Sequence, residues 1–207
     1  MTNKGFFITF EGADGCGKTT QINLIDEYLR GKGLKTLLTR EPGSRGLGVK
    51  IREILLNYEG EVAPNCESFL FLADRAQHVD CIIKPALSEG KIVICDRHTD
   101  STLAYQGYGR QLDLNRIKYL NEIAVNGLKP DLTIVFDVSV ETSMARVGST
   151  KDRMESAGID FFNRVRQGYL EIAKQEPNRV KVINSSDSIE NVHRQVVKLI
   201  ENLQQGK

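Results

Sequence analysis

Five short apolar runs stand apart from longer stretches in which apolar residues recur every three or four positions. The runs are FFITF (6–10), KTLLT (35–39), KIVIC (91–95), LTIVFDV (132–138) and VKVIN (180–184). Each is rich in β-branched or aromatic side chains and is predicted to be a buried strand. Between them, residues 18–31 place Ile22, Ile25 and Leu29 on one helical face. Residues 188–203 do the same with Ile189, Val192, Val196, Leu199 and Leu203. That last helix is expected to start at an Asp187 cap, with Glu190 three residues on. Further helices are predicted over 65–88 and 113–126. Strands alternating with helices imply a parallel sheet covered on both faces, with ligands bound beyond the carboxyl ends of the strands.

Length and charge sharpen this picture. The 207 residues suit one α/β domain over 1–207. Lysine plus arginine (28) nearly balance aspartate plus glutamate (27), so no overall field points to nucleic acid or a membrane surface. An anionic ligand must therefore be held by a local cluster. Cys16, Cys66, Cys81 and Cys95 show no C-x-x-C spacing. Cys81 and Cys95 have apolar sequence neighbours and are expected to be small buried hydrophobes, whereas Cys16 lies in a glycine-rich loop and is expected to be partly exposed. No stretch has the length of a membrane span or the core of a signal peptide, so a cytoplasmic location is the expectation.

The chemistry enters at GADGCGKT (Gly12 to Thr19), which matches G-x-x-x-x-G-K-[ST] between a predicted strand and a predicted helix. Glycines let backbone N–H groups approach phosphate oxygens, and the helix N-terminus adds partial positive charge. Gly12, Ala13, Asp14, Gly15, Cys16, Gly17, Lys18, Thr19 and Thr20 are therefore the expected triphosphate site. Lys18 reaches the β- and γ-phosphates, and the Thr19 hydroxyl can ligate Mg²⁺. A guanine-reading N-K-x-D is missing, since STKD at 149–152 resembles it only loosely, which argues against a small GTPase. Asp14 is the oddity, a carboxylate inside an anion-binding loop. A turn former would account for it, since aspartate hydrogen-bonds readily to its own backbone.

Three arginines, Arg52, Arg75 and Arg97, flank predicted strand ends near this loop. Phe71 and Arg75 are four apart on one predicted helix, and a guanidinium beside a ring can form a slot for a flat base. The grouping suits a second substrate that is planar and anionic. Asp96, at the end of the third strand, admits two readings: a carboxylate for the water shell of Mg²⁺, or an ion-pair partner of an arginine. The histidines His78, His98 and His193 lack metal-ligand spacing and are expected on the surface or in packing.

Taken together, FITFEGADGCGKTT, TREPG, FLADRAQH, IKPAL, DRHTDSTLAYQG, NGLKPDLTIVFDV and FFNRVRQGYLEIA make the chain resemble the thymidylate kinases. These are P-loop nucleoside monophosphate kinases that use ATP to phosphorylate dTMP. The resemblance implies a three-layer P-loop kinase fold, with a five-stranded parallel sheet flanked by helices and a lid segment at about 145–158. It implies Mg²⁺ and ATP, no nucleic acid or membrane partner, and a homodimer. It also implies an acceptor site of Asp14, Pro42, Arg52, Phe71, Arg75, Arg97, Thr102, Tyr105 and Gln106. There Arg97 and Arg52 hold the phosphate, Arg75 stacks over thymine, Phe71 packs against it, and Tyr105 lies near the 2′ carbon. Asp14 would accept a hydrogen bond from the 3′-hydroxyl.

Some family members carry a basic residue after the loop carboxylate, where this chain has Gly15. The resemblance therefore directs the search for a transition-state cation to the lid, where Arg153 and Arg146 are the candidates, with Lys151 a lesser one. A merely charged connecting loop explains the same composition. The expected catalytic set is Lys18, Arg97, Arg153 and Asp14, with Thr19 and Asp96 at the metal. The chain departs from the family pattern at Ser44, at His98 and in a short lid. The alternatives are a kinase of another nucleotide or nucleoside, or a nucleotide-dependent switch module.

Overall fold

All five apolar runs form strands, within a residue of the expected bounds: β1 (Phe7–Glu11), β2 (Thr36–Arg40), β3 (Ile92–Asp96), β4 (Leu132–Asp137) and β5 (Val180–Asn184). The computed structural model describes residues 5–147, 153–154 and 157–205. Every strand pair is parallel, in the order β2-β3-β1-β4-β5. β1 is central and wholly buried, because its alternate residues serve two layers. Ile8 and Phe10 pack with Ile25, Leu29, Val196 and Ile200, whereas Phe7 packs with Val79, Ile83, Val93 and Cys95 on the other face.

The helices are α1 (Lys18–Gly31), α2 (Leu47–Asn57), α3 (Pro64–His78), α4 (Lys84–Ser88), α5 (Thr99–Thr102), α6 (Leu114–Val125), α7 (Val140–Arg146), α8 (Ile159–Gln175) and α9 (Ile189–Gln205). The single helix expected over 65–88 is instead α3 and α4 joined by a π-helical segment, Val79–Ile83. The wider π geometry shifts the phase of the helical face. Cys81 lies within that segment and is exposed, not buried as its apolar neighbours suggested. Cys95 is buried as expected, and Cys16 is buried too, because the loop curls its side chain under itself.

Two expectations about α9 also change. The cap is Ser188, whose Oγ accepts the Asn191 amide at 3.2 Å, while Asp187 accepts the Ser188 amide at 2.7 Å. Ile189 is 54 % exposed and leaves the core stripe, which Val192, Val196 and Ile200 carry. No helix among the described residues is long and apolar enough to cross a membrane.

The sheet's polar side chains cluster at its carboxyl end. Glu11 ends β1, Glu41 follows β2, Asp96 ends β3 and Arg97 comes directly after it. Parallel strands end at one edge, so residues far apart in sequence converge there.

Candidate active site

The phosphate loop connects β1 to α1, and α1, whose N-cap is Gly17 (φ 94°), has no side-chain cap. Its first amides therefore remain available to an anion. Lys18 is buried, and its Nζ donates to the Gly12 and Ala13 carbonyls at 3.0 and 3.1 Å, with Asp96 Oδ1 3.9 Å away. Around this loop opens a cleft of about 1080 Å³, lined by residues 14–21 together with Asp96, Phe136, Arg146, Ser185, Asp187, Ile189 and Val192. Gly12 and Ala13 contribute carbonyls to Lys18 and are not among the lining residues.

A second cleft of about 580 Å³ lies across Asp14 from the first. It is lined by Asp14, Pro42, Arg52, Phe71, Arg75, Arg97, Thr102, Tyr105 and Gln106, and also by Glu41, Leu56, Ser101 and Met154. All nine residues expected at an acceptor site thus meet in one place. Asp14 lines both clefts. Its carboxylate accepts from Arg97 Nη2 at 2.8 Å and is 43 % exposed. Burial tends to raise this carboxyl, but the charges of Arg97 and then Lys18 hold it down at about 2, so it stays ionised.

Arg97 is fixed from several sides. Its backbone takes φ 70°, uncommon for a non-glycine residue. Its guanidinium stacks over the Tyr105 ring at 5.0 Å and approaches Ser101 Oγ (3.5 Å) and Tyr169 Oη (3.4 Å). Beneath it, Glu11 is buried and accepts from Ser101 Oγ (2.5 Å), the His98 amide (2.8 Å) and Tyr169 Oη (3.2 Å). Burial, with the nearby Asp100 charge, raises the Glu11 carboxyl to about 7.

Arg75 behaves differently from a surface slot residue. It is 1 % exposed, and its guanidinium donates to Glu41 (Nε, 2.8 Å), Thr102 (2.7 Å), Asn121 (2.7 Å) and the His98 carbonyl (2.9 Å), with Nη2 also 2.8 Å from Glu41 Oε2 in an ion pair. With its edge engaged inward, the cleft can receive only its face. Glu41 also accepts from His78 Nδ1 (2.8 Å) and His98 Nδ1 (2.9 Å). His78 and His98 are therefore not surface residues but buried members of a polar network under the cleft floor. His98 occupies a departure from the family pattern, and its ring makes a T-shaped contact with that of Phe7, centroids 5.0 Å apart.

The lid candidates separate. Arg146 ends α7 and donates to the Gly15 carbonyl at 3.4 Å, within the first cleft. Arg153 is turned to the other side. It donates to Glu67 Oε2 at 2.7 Å and to the Leu55 carbonyl at 2.9 Å, so the structure does not bring it to the phosphate loop. A buried carboxylate is the physical reason, since it needs cationic partners. Lys151 lies outside the described residues, as do 148–150, 152, 155 and 156 of the expected lid.

The structure also explains Gly15. A Cβ there would sit 2.4 Å from the Ser143 carbonyl oxygen and 3.2 Å from Arg146 Cβ, at φ +77°. α7 packs directly on the loop, and Ser143 Oγ donates to the Asp14 carbonyl. Gly15→Ala is accordingly expected to push α7 and Arg146 away. We expect kcat/KM for ATP to fall at least about tenfold, with a smaller change for the acceptor, in steady-state kinetics.

Several cleft residues escaped the sequence reading: Ser185, Asp187, Ile189 and Val192 at the first cleft, and Glu41, Leu56, Ser101 and Met154 at the second. The first group follows β5, so the strand-end rule could have flagged it. The second needs contacts that local patterns do not carry.

A phosphate loop on a parallel sheet, facing a second cleft floored by arginines, defines a P-loop kinase for a small phosphorylated acceptor. The family model for thymidylate kinase matches residues 10–196. A thymidylate kinase of Pelotomaculum thermopropionicum is 50 % identical over 202 residues, 96 % of this chain and 94 % of that protein. One from Caldanaerobacter subterraneus is 45 % identical over 204 residues, 98 % of each. The crystal structure of thymidylate kinase from Ehrlichia chaffeensis superposes with a TM-score of 0.79 at 40 % identity, covering 95 % of this chain and 98 % of that one. The chain belongs to the thymidylate kinase family.

Proposed function

We propose that the enzyme transfers the γ-phosphoryl group of ATP to dTMP across Asp14, from the first cleft to the second. The observation that carries this is the convergence of Asp14, Arg52, Phe71, Arg75, Arg97 and Tyr105 on one cleft beside the phosphate loop. The acceptor is a phosphate monoester with a second pKa of about 6, largely a dianion at neutral pH, so no general base is required. Positioning and charge neutralisation are what the site must supply.

In this reading Lys18 moves from the Gly12 and Ala13 carbonyls to the donor phosphates. Arg97 and Arg52 hold the acceptor phosphate, and Asp14 accepts from the 3′-hydroxyl. Phe71 and the face of Arg75 enclose the base, with Tyr105 beside the sugar and Thr102 and Gln106 at the base end. Arg146 is the cation placed to meet the transferred group, the role expected of Arg153.

Asp96 Oδ1 is buried without a hydrogen-bond partner among the described residues, and Thr19 is exposed at the same cleft, a donor set of hard oxygens that fits Mg²⁺. Thr19 and Asp96 would hold the ion and its water shell, and Mg²⁺ would neutralise charge on the triphosphate. A homodimer is part of this proposal. Phe69 on α3 and Tyr119 and Ile123 on α6 are exposed apolar side chains on helices that pack together, and a second copy could cover them.

A coupled ADP-release assay across the four deoxynucleoside monophosphates tests the reading. Turnover is expected with dTMP far above that with water or with the purine nucleotides. Equal ADP release with dTMP and with water would falsify it.

A further inference from the structure

Glu67 lies on α3, one turn before Phe71, and is fully buried. It does not line the second cleft but sits behind its wall. Its Oε1 accepts from Gln106 Nε2 at 2.9 Å and Arg110 Nε at 3.2 Å, and its Oε2 from Arg110 Nη2 at 3.1 Å and Arg153 Nη1 at 2.7 Å. Burial tends to raise this carboxyl, but the bonds from Arg110, Gln106 and Arg153 hold it below the usual carboxylate range.

An ionised carboxylate accepts hydrogen bonds and cannot donate. Gln106 must therefore turn its amino end to Glu67. Its carbonyl oxygen is the end left for the cleft that Gln106 lines. A pyrimidine with an N3–H, such as thymine or uracil, can donate to that oxygen. Cytosine carries a lone pair at N3 and would set acceptor against acceptor. The same carboxylate anchors Arg153, whose neighbour Met154 forms part of the cleft wall.

We propose that Glu67 is a specificity-positioning residue, which fixes the polarity of the Gln106 amide so that the cleft takes an imide base and rejects an amino-pyrimidine. The proposal rests on reading the second cleft as the site of the acceptor base. Glu67 touches no substrate and acts through Gln106, with Arg110 and Arg153 holding its charge in place.

Steady-state kinetics with dTMP and 5-methyl-deoxycytidine monophosphate isolate the effect, because both bases carry the 5-methyl group and differ in polarity at N3 and C4. Wild-type enzyme is expected to favour dTMP at least about tenfold in kcat/KM, and parity there overturns the proposal whatever the variants do. In Glu67→Gln the neutral amide can donate or accept, so Gln106 can turn over. The ratio is expected to fall at least about tenfold, mainly through the acceptor KM, whereas Glu67→Asp keeps it. On a Gln106→Leu background, Glu67→Gln is expected to leave the ratio unmoved. A ratio unchanged in Glu67→Gln, or one shifted equally on the Gln106→Leu background, overturns the role of Glu67. If Gln106→Leu does not raise the dTMP KM, the underlying placement of the base fails instead, and the proposal with it.

Discussion

Arg97→Gly is expected to lower kcat/KM for dTMP by about 10³-fold while the KM for ATP moves less than about threefold. Glycine is chosen because Arg97 sits at φ 70°, where alanine would keep the backbone strain and glycine releases it. A loss of activity then reports on the guanidinium and not on the fold. The size follows from how thoroughly that group is placed. Asp14, Ser101, Tyr169 and the Tyr105 ring hold it before any substrate arrives, so little freedom remains to be lost at the transition state. Thermal unfolding should show the variant within about 1 kcal/mol of the parent, because relief at φ offsets part of the lost ion pair. Near-parental kcat/KM would remove Arg97 from the phosphate site.

The second large effect concerns stability. Glu41→Ala is expected to cost about 3–5 kcal/mol, since it leaves the buried Arg75 without its counter-charge and strips two histidines of their acceptor. For a chain of this size that corresponds to a fall in Tm of roughly 10 °C. A pH dependence accompanies it. Burial tends to raise the Glu41 carboxyl, but Arg75, with His98 and His78, holds it well below its ordinary value of 4.5. A depressed carboxylate stabilises the fold above its unfolded pKa, and that contribution is lost as pH falls through the folded value. The stability gap between the parent and Glu41→Gln should therefore be widest above about pH 5 and should narrow on acidification. A gap that stayed constant from pH 7 to pH 3, measured by denaturant unfolding, would show that the carboxylate's ionisation contributes nothing.

Much of this enzyme is local information. The five strands could be read from runs of five to seven residues, because burial on both faces leaves a continuous apolar signature. The phosphate loop is contiguous, so its glycines, Lys18 and Thr19 carry their meaning in their spacing. Asp14 was legible as a residue of interest for the same reason, although a turn former would have looked identical. The misreadings arise where geometry departs from ideal periodicity. A π-helical segment turned Cys81 outward, and a one-residue shift gave the α9 cap to Ser188.

What the amino-acid order determined by itself is the alternation of strands and helices, the triphosphate loop, and the residue types that a planar anionic acceptor needs. Only the tertiary structure decided the strand order, and with it which polar side chains meet at the carboxyl edge of the sheet. Glu41 finds Arg75, His78 and His98 across 34, 37 and 57 residues, and Glu67 finds Gln106 and Arg153 across 39 and 86. Such pairings leave no periodic trace, because each is selected by burial and charge in three dimensions and not by neighbours along the chain. That is why Arg153, the lid residue expected in the catalytic set, and Arg146, the other lid candidate, part company in space: one answers a buried carboxylate, and the other lies against the phosphate loop.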